Sequence, residues 1–183
     1  MRHGATEHNL RGLRCGGDLD IELEDVGRHQ VRQAAVRVRA MQLRIGLIVA
    51  GALARARETA AIMSEDLDGI PIVIEPLLNE RRLGAWNQQS IEATEPLLRS
   101  HVTPPGGESE HEFTHRIAQA LEALVPRLSH QLLVVGSSGV GRVIHTLLGG
   151  EGRLRLSNGE IVRFTVERSN FALTIPNGMP KHD

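Results

Sequence analysis

Ile45-Gly46-Leu47-Ile48-Val49-Ala50-Gly51-Ala52-Leu53-Ala54-Arg55-Ala56-Arg57-Glu58-Thr59-Ala60-Ala61-Ile62-Met63 is the stretch whose reading decides the fold. Residues 45–49 form a short apolar run ended by Ala50-Gly51, which suits a buried parallel strand. Leu53, Ala56, Ala60 and Met63 then recur at helical spacing, predicting a helix over 53–67. A strand fed directly into a helix is the repeating unit of a parallel sheet covered by helices. Ligands in such sheets lie beyond the carboxyl ends of the strands. Arg55 falls in the first turn of the helix, where backbone N–H groups and the dipole already favour an anion.

The same alternation extends in both directions. Upstream, Val31, Ala34, Ala35, Val38 and Met41 mark an amphipathic helix over 26–43, and the glycines and aspartates of 10–25 read as loop. Downstream, 70–74 reads as a second strand. A polar connection follows, through Trp86 and Pro96 to the turn Pro104-Pro105-Gly106-Gly107. Ser109 and Glu112 then form a capping box for a helix to about Leu124. Residues 132–135 read as a third strand and 142–148 as the helix behind it, while 160–167 and 171–175 alternate as two further strands. These elements predict one α/β domain over 1–183, three-layer α/β/α, with a mainly parallel sheet.

Composition narrows the function. The 183 residues are 40% hydrophobic and 23% charged, so the chain folds, and one Trp, three Phe and no Tyr offer no base-stacking platform. A net charge of -1 gives no pull toward nucleic acid or an anionic membrane. No apolar run is long enough for a membrane span or signal peptide, and one cysteine permits no internal disulfide, so a cytoplasmic location is expected. Cys15 is not followed by an arginine closing a phosphate loop within 16–21, so it reads as an ordinary loop thiol.

Phosphate chemistry must therefore be local. Met1-Arg2-His3-Gly4-Ala5-Thr6-Glu7-His8-Asn9 sets an imidazole beside a guanidinium and a glycine. A neutral imidazole can attack phosphorus, Arg offers a rigid fork of donors, and Gly admits close backbone approach. Leu78-Asn79-Glu80-Arg81-Arg82-Leu83-Gly84-Ala85-Trp86 brings an acid to the same sheet edge, and Gly136-Ser137-Ser138-Gly139-Val140-Gly141-Arg142 follows the third strand. The latter also has P-loop spacing, but Arg142 and Val143 replace the Lys and the hydroxyl residue. His111-Glu112-Phe113-Thr114-His115 matches a zinc signature, yet Glu112 already serves the capping box and Ala118 and Leu121 stand where a third ligand would follow.

The chain resembles the histidine phosphatase superfamily, also called phosphoglycerate mutase-like. The matching pieces, in the family's order, are Arg2-His3-Gly4 with Thr6 and Asn9; Asp20 with Leu23, Gly27 and Gln30; Leu53-Ala54-Arg55-Ala56 with Thr59-Ala60; Glu80 with Gly84 and Trp86; and Pro104 to Ser109. The resemblance implies a phosphohistidine on His3, phosphate held by Arg2 and Arg55, Glu80 as general acid, and Asn9 lining the pocket. It implies a small phosphorylated substrate and no metal or other cofactor; it leaves the oligomeric state open.

The sequence departs from that pattern twice. The family's second histidine is replaced by Ser137, whose neutral hydroxyl would serve the phosphate instead; loss of one such donor lowers rates by on the order of 10²- to 10³-fold. The apolar strand expected before Arg2 is missing, and a late start of the chain is the favoured explanation. A free Met1 amino group there is expected to add positive charge near His3. The leading reading is a phosphomonoester hydrolase, with a phosphoester-binding pseudoenzyme as the alternative. A mutase and a zinc hydrolase using His111, Glu112 and His115 rank below both.

Overall fold

The computed structural model describes residues 1–129 and 131–166. At its centre lies a parallel sheet in the order β2-β1-β3, formed by β1 (Ile45–Ala50), β2 (Ile72–Ile74) and β3 (Gln131–Val135). Around it run α1 (Glu7–Leu10), α2 (Asp25–Ala40), α3 (Ala54–Asp66), α4 (Ile91–Arg99), α5 (Glu110–Leu124) and α6 (Ser138–Leu147).

Side-chain alternation along β1 builds the layers. Ile48 and Ala50 pack with Val31, Ala34 and Val38 of α2 and with Ala60 and Met63 of α3. Leu47 and Val49 pack on the opposite face with Phe113, Ile117 and Leu121 of α5 and Val140, Ile144 and Leu147 of α6. The fold is therefore α/β/α around a parallel sheet, and the βα unit at 45–63 is its middle.

Several elements differ from the sequence reading. The stretch read as a polar connection contains α4, despite Pro96 inside it. Proline removes an internal hydrogen bond, and α4 is secured from outside instead. Ser90 caps it through Oγ, which accepts from the Ala93 N–H at 3.1 Å, and Arg14 Nε donates to Thr94 Oγ1 at 2.7 Å. α6 begins at Ser138, four residues before the expected start, because Ser137 caps it ahead of its two glycines. Among the described residues, 161–166 of the strand expected over 160–167 pairs with no strand, although Ile161 and Phe164 pack against the two cores. The strand expected at 171–175 lies outside the described residues.

The N-terminus takes the sheet position that the motif needs. Arg2 forms a parallel bridge to Gly136; the His3 N–H donates to Gly136 O at 2.8 Å, and the Gly136 N–H donates to Met1 O at 3.1 Å. Met1 N donates to Val134 O at 2.7 Å. Burial pushes the Met1 amino group from 8.0 to about 5, so it is uncharged at neutral pH and adds no positive charge beside His3, contrary to the expectation. Among the described residues no helix is long and apolar enough to cross a membrane.

Candidate active site

His3 leaves the sheet beside the C-terminal end of β3 and is only 5% exposed. Its Nδ1 lies 2.7 Å from the carbonyl oxygen of Gly4. A carbonyl only accepts, so Nδ1 carries the proton and the lone pair sits on Nε2. Burial, then the charges of Arg55 and Arg2, push the ring well below its ordinary value, from 6.5 to about 3, against the opposing Gly4 hydrogen bond. Near neutrality His3 is a neutral imidazole whose Nε2 has no hydrogen-bond partner among the described residues.

The loop that holds this ring is fixed from many sides. The Gly4 N–H donates to Thr59 Oγ1 at 3.2 Å and the Ala5 N–H to Gln30 Oε1 at 3.0 Å. Asn158 Nδ2 donates to both His3 O and Asn9 Oδ1, at 3.1 and 3.0 Å. Thr59 and Gln30 stood among the motif pieces; here they orient the backbone. Sequence reasoning passed over Asn158, and its only signal was an Asn-Gly turn.

Gly4 and Gly27 set the approach of this loop to α2. A β-carbon on Gly27 would overlap Ala5 O, and one on Gly4 would overlap Gly27 O. Gly27→Ala is expected to destabilise the protein by about 1–3 kcal/mol, because backbone rather than a flexible side chain has to give way. Urea denaturation reads this directly, and an unchanged midpoint would show that the two segments separate freely.

Arg2, His3, Asn9, Glu80 and Ser137 all line one cavity of about 460 Å³. Arg2 Nη1 donates to Leu156 O at 2.7 Å, while its buried Nε has no partner among the described residues. Burial pushes the Arg2 guanidinium down, and the charges of Glu80 and Glu160 oppose that. Asn9 Oδ1 accepts from Thr6 N–H at 3.2 Å as well as from Asn158. Glu80 accepts through Oε1 from the Arg81 N–H at 2.8 Å and through Oε2 from the Gly139 N–H at 3.3 Å, at the start of α6. Ser137 Oγ accepts from the Val140 N–H at 3.3 Å, capping α6 and leaving its hydroxyl proton to donate.

Arg55 is fixed by the chain around His3. It is 2% exposed and does not line the cavity. Its Nη1 and Nη2 donate to Leu19 O and Gly16 O at 2.8 and 3.0 Å, so the guanidinium pins the loop at Gly16 and Leu19. Asp20 supports the same region by accepting at Oδ1 from the Ala54 N–H at 2.7 Å, which caps α3. Cys15 lines the cavity; burial pushes its thiol up, with Arg55 opposing. That favours the unreactive thiol.

The zinc motif gains nothing from the fold. His111 and His115 stack at 6.3 Å between ring centroids, and Glu112 accepts the Ser109 N–H at 2.7 Å in the capping box. Among the described residues no group of three His, Cys, Asp or Glu could hold a metal.

Known proteins are similar to this chain in sequence and in fold. The chain is 34% identical over 185 aligned positions to the probable phosphoglycerate mutase GpmB of Erwinia tasmaniensis, covering 92% of this chain and 84% of that one. The protein of the same name from Photorhabdus laumondii matches at the same identity and coverage. Among solved structures, it is similar to a mycobacterial glucosyl-3-phosphoglycerate phosphatase, with a TM-score of 0.68, 28% identity, and 86% and 80% of the two chains covered. It is also similar to the alpha-ribazole phosphatase of Shigella flexneri, with a TM-score of 0.66, 25% identity, and 82% and 79% covered. The family model described as histidine phosphatase superfamily, branch 1, matches residues 1–177, and the chain belongs to that superfamily.

Proposed function

We propose that this protein hydrolyses phosphomonoesters through a phosphohistidine formed on His3. The observation that carries the reading is the His3 ring itself, neutral, with Nδ1 committed to Gly4 O, in one cavity with Arg2 and Glu80. Nε2 attacks phosphorus as the ester P–O bond breaks, and Glu80 gives its proton to the departing alkoxide. Water then attacks the phosphohistidine, Glu80 takes a proton from that water, and phosphate leaves. Arg2 and Asn9 face the transferred oxygens, since phosphoryl transfer depends on positioning and on cations around the phosphoryl group. Arg55 lowers the basicity of His3 and holds the loop at Gly16 and Leu19. The substrate is small and phosphorylated, no cofactor enters the scheme, and a cytoplasmic location remains part of the reading.

The second reading is a phosphoester-binding pseudoenzyme, and one observation favours it: Ser137 Oγ is engaged as the cap of α6, so only one neutral donor replaces the second histidine. Turnover of an aryl phosphate by wild type and Ser137→His separates the two. Hydrolysis predicts measurable wild-type turnover that rises in Ser137→His by on the order of 10²-fold, with about 1 kcal/mol of stability lost with the cap. No turnover in either protein, with the ester still bound, establishes the pseudoenzyme. Transfer of the phosphoryl group to a second hydroxyl, the reaction in the relatives' names, would appear as a new ester instead of free phosphate.

A further inference from the structure

Glu80 stands in neither helix nor strand, and neither do Arg81 to Leu83 after it. No regular ladder of backbone hydrogen bonds fixes this segment, so side chains have to satisfy and orient it. Arg116, in the second turn of α5, does so from outside the cavity, which it does not line.

Every donor of the Arg116 guanidinium is used. Nη1 donates to Leu77 O at 2.6 Å and to Asn79 O at 2.9 Å; Nη2 donates to Glu80 O at 3.2 Å and to Glu108 Oε2 at 2.8 Å; Nε donates to Glu108 Oε1 at 2.8 Å. The five N–H groups of an arginine thus meet five acceptor contacts. Glu108 is buried and ties in the next residue, because Oε2 also accepts from the Arg82 N–H at 3.2 Å and the Glu108 N–H donates to Arg82 O at 2.9 Å. The guanidinium lies over the Phe113 ring, 4.9 Å from its centroid, which supports its plane. Asn79 carries the frame to the sheet: its Oδ1 accepts from the Ala52 N–H at 2.7 Å, in the turn after β1. Residues 77–82 are therefore held by α5 on one side and by the β1–α3 turn on the other. The Glu80 carboxylate accepts from the Arg81 and Gly139 N–H groups within that frame.

We propose that Arg116 is the positioning residue for Glu80: its planar fork fixes three carbonyls of the 77–80 segment, and through them the carboxyl group that gives a proton to the leaving alkoxide. This rests on the reading of Glu80 as the general acid. Lysine in place of Arg116 keeps the charge beside Glu108, but it is a point charge with three donors and cannot span Glu108 and three carbonyls together. Arg116→Lys therefore separates the frame from the charge.

Leaving groups read the acid directly. 4-Nitrophenolate departs without a proton, whereas the alkoxide of glycerol 3-phosphate needs one. Arg116→Lys is expected to lower kcat/KM for glycerol 3-phosphate by roughly 10- to 100-fold and for 4-nitrophenyl phosphate by less than about 3-fold. Glu80→Gln should show the same contrast, and the double variant should be no slower on glycerol 3-phosphate than Glu80→Gln alone, because the arginine acts only through the acid. Equal losses on both esters in Arg116→Lys, or losses that multiply in the double variant, would overturn the proposal and leave Glu80 as the acid. Equal losses on both esters in Glu80→Gln would remove the acid and the proposal with it. Hydrogen exchange reads the frame without turnover. The Arg81 and Gly139 amides should exchange about tenfold faster or more in Arg116→Lys, with the urea midpoint and the amides of α3 near wild type. Wild-type protection of those two amides overturns the proposal even in a protein that hydrolyses no ester. Protection lost throughout α3 and the sheet does so too, since Arg116 would then hold the fold and not the acid.

Discussion

His3→Ala is expected to lower phosphomonoester turnover by on the order of 10⁴-fold or more, because the nucleophile and the covalent intermediate are lost together. No neighbouring group replaces it: Ser137 Oγ caps α6, and burial holds the Cys15 thiol in its protonated form. Brief incubation with a radiolabelled ester should leave an acid-labile, alkali-stable label on wild type and none on the variant. Retention of wild-type rates to within a factor of about ten would place the nucleophile elsewhere. The same variant should change the pH dependence of stability. The unfolded chain protonates His3 near 6.5 and the folded protein near 3, so the stability contributed by the neutral ring is present above 6.5 and is lost as pH falls toward 3. Wild type should lose about 1.4 kcal/mol per pH unit across that window on account of this residue, and His3→Ala should lack that component in acid titrations followed by urea midpoints.

Glu110→Ala should give the largest loss of stability, about 3–5 kcal/mol. Glu110 is 5% exposed and Arg81 3%, and the carboxylate bridges Arg81 Nη1 at 2.9 Å and Arg142 Nη2 at 2.6 Å. Its removal takes the shared ion-pair partner from two guanidiniums that line the cavity, and Arg81 is left with only the more distant charges of Glu108 and Glu80. Arg81 keeps only its bonds to backbone carbonyls, the shorter being Nε to Glu108 O at 2.7 Å. Activity should fall with stability, since the Arg81 N–H is one of the two donors that orient Glu80. Glu110→Gln keeps the shape and loses the charge; it should fall between wild type and Glu110→Ala in denaturant midpoint. A midpoint for Glu110→Ala within about 1 kcal/mol of wild type would show that water reaches and solvates both arginines.

Periodicity made the interior legible. The apolar spacing of 45–63 gave β1 and α3, and the same rule found α2, while the Ser109 and Glu112 capping box found α5. α4 escaped that rule, since Pro96 interrupts it and its apolar Ile91 and Leu97 are exposed. α6 was read short because Gly139 and Gly141 mask its first turn, which Ser137 makes workable by capping. Alternation at 160–166 pointed to a strand, and among the described residues that segment pairs with none, since alternation reports burial on one side and not pairing. At the site, residue identity and order brought five of six candidates to one cavity. Arg55 could not be read the same way: spacing puts it in the first turn of α3 but does not say that its guanidinium turns to the backbone of Gly16 and Leu19. The Arg116 frame was equally hidden, because residues 77–80, 108 and 116 meet only through the fold.

The ties between the N-terminal loop and residues 156–160 also bear on how the protein is made. Arg2 N–H donates to Glu160 O at 3.0 Å, Gly159 N–H reaches Arg2 O and His3 O at 3.2 Å, and Asn158 spans 155 positions to bond His3 O. Contacts between such distant segments close late and slowly, since the loop entropy must be lost before they form. A ribosome that has released the first 150 residues has released His3, Glu80 and all three strands of the described sheet, yet not the segment that seats the His3 loop. The nascent chain therefore acquires its core well before its chemistry.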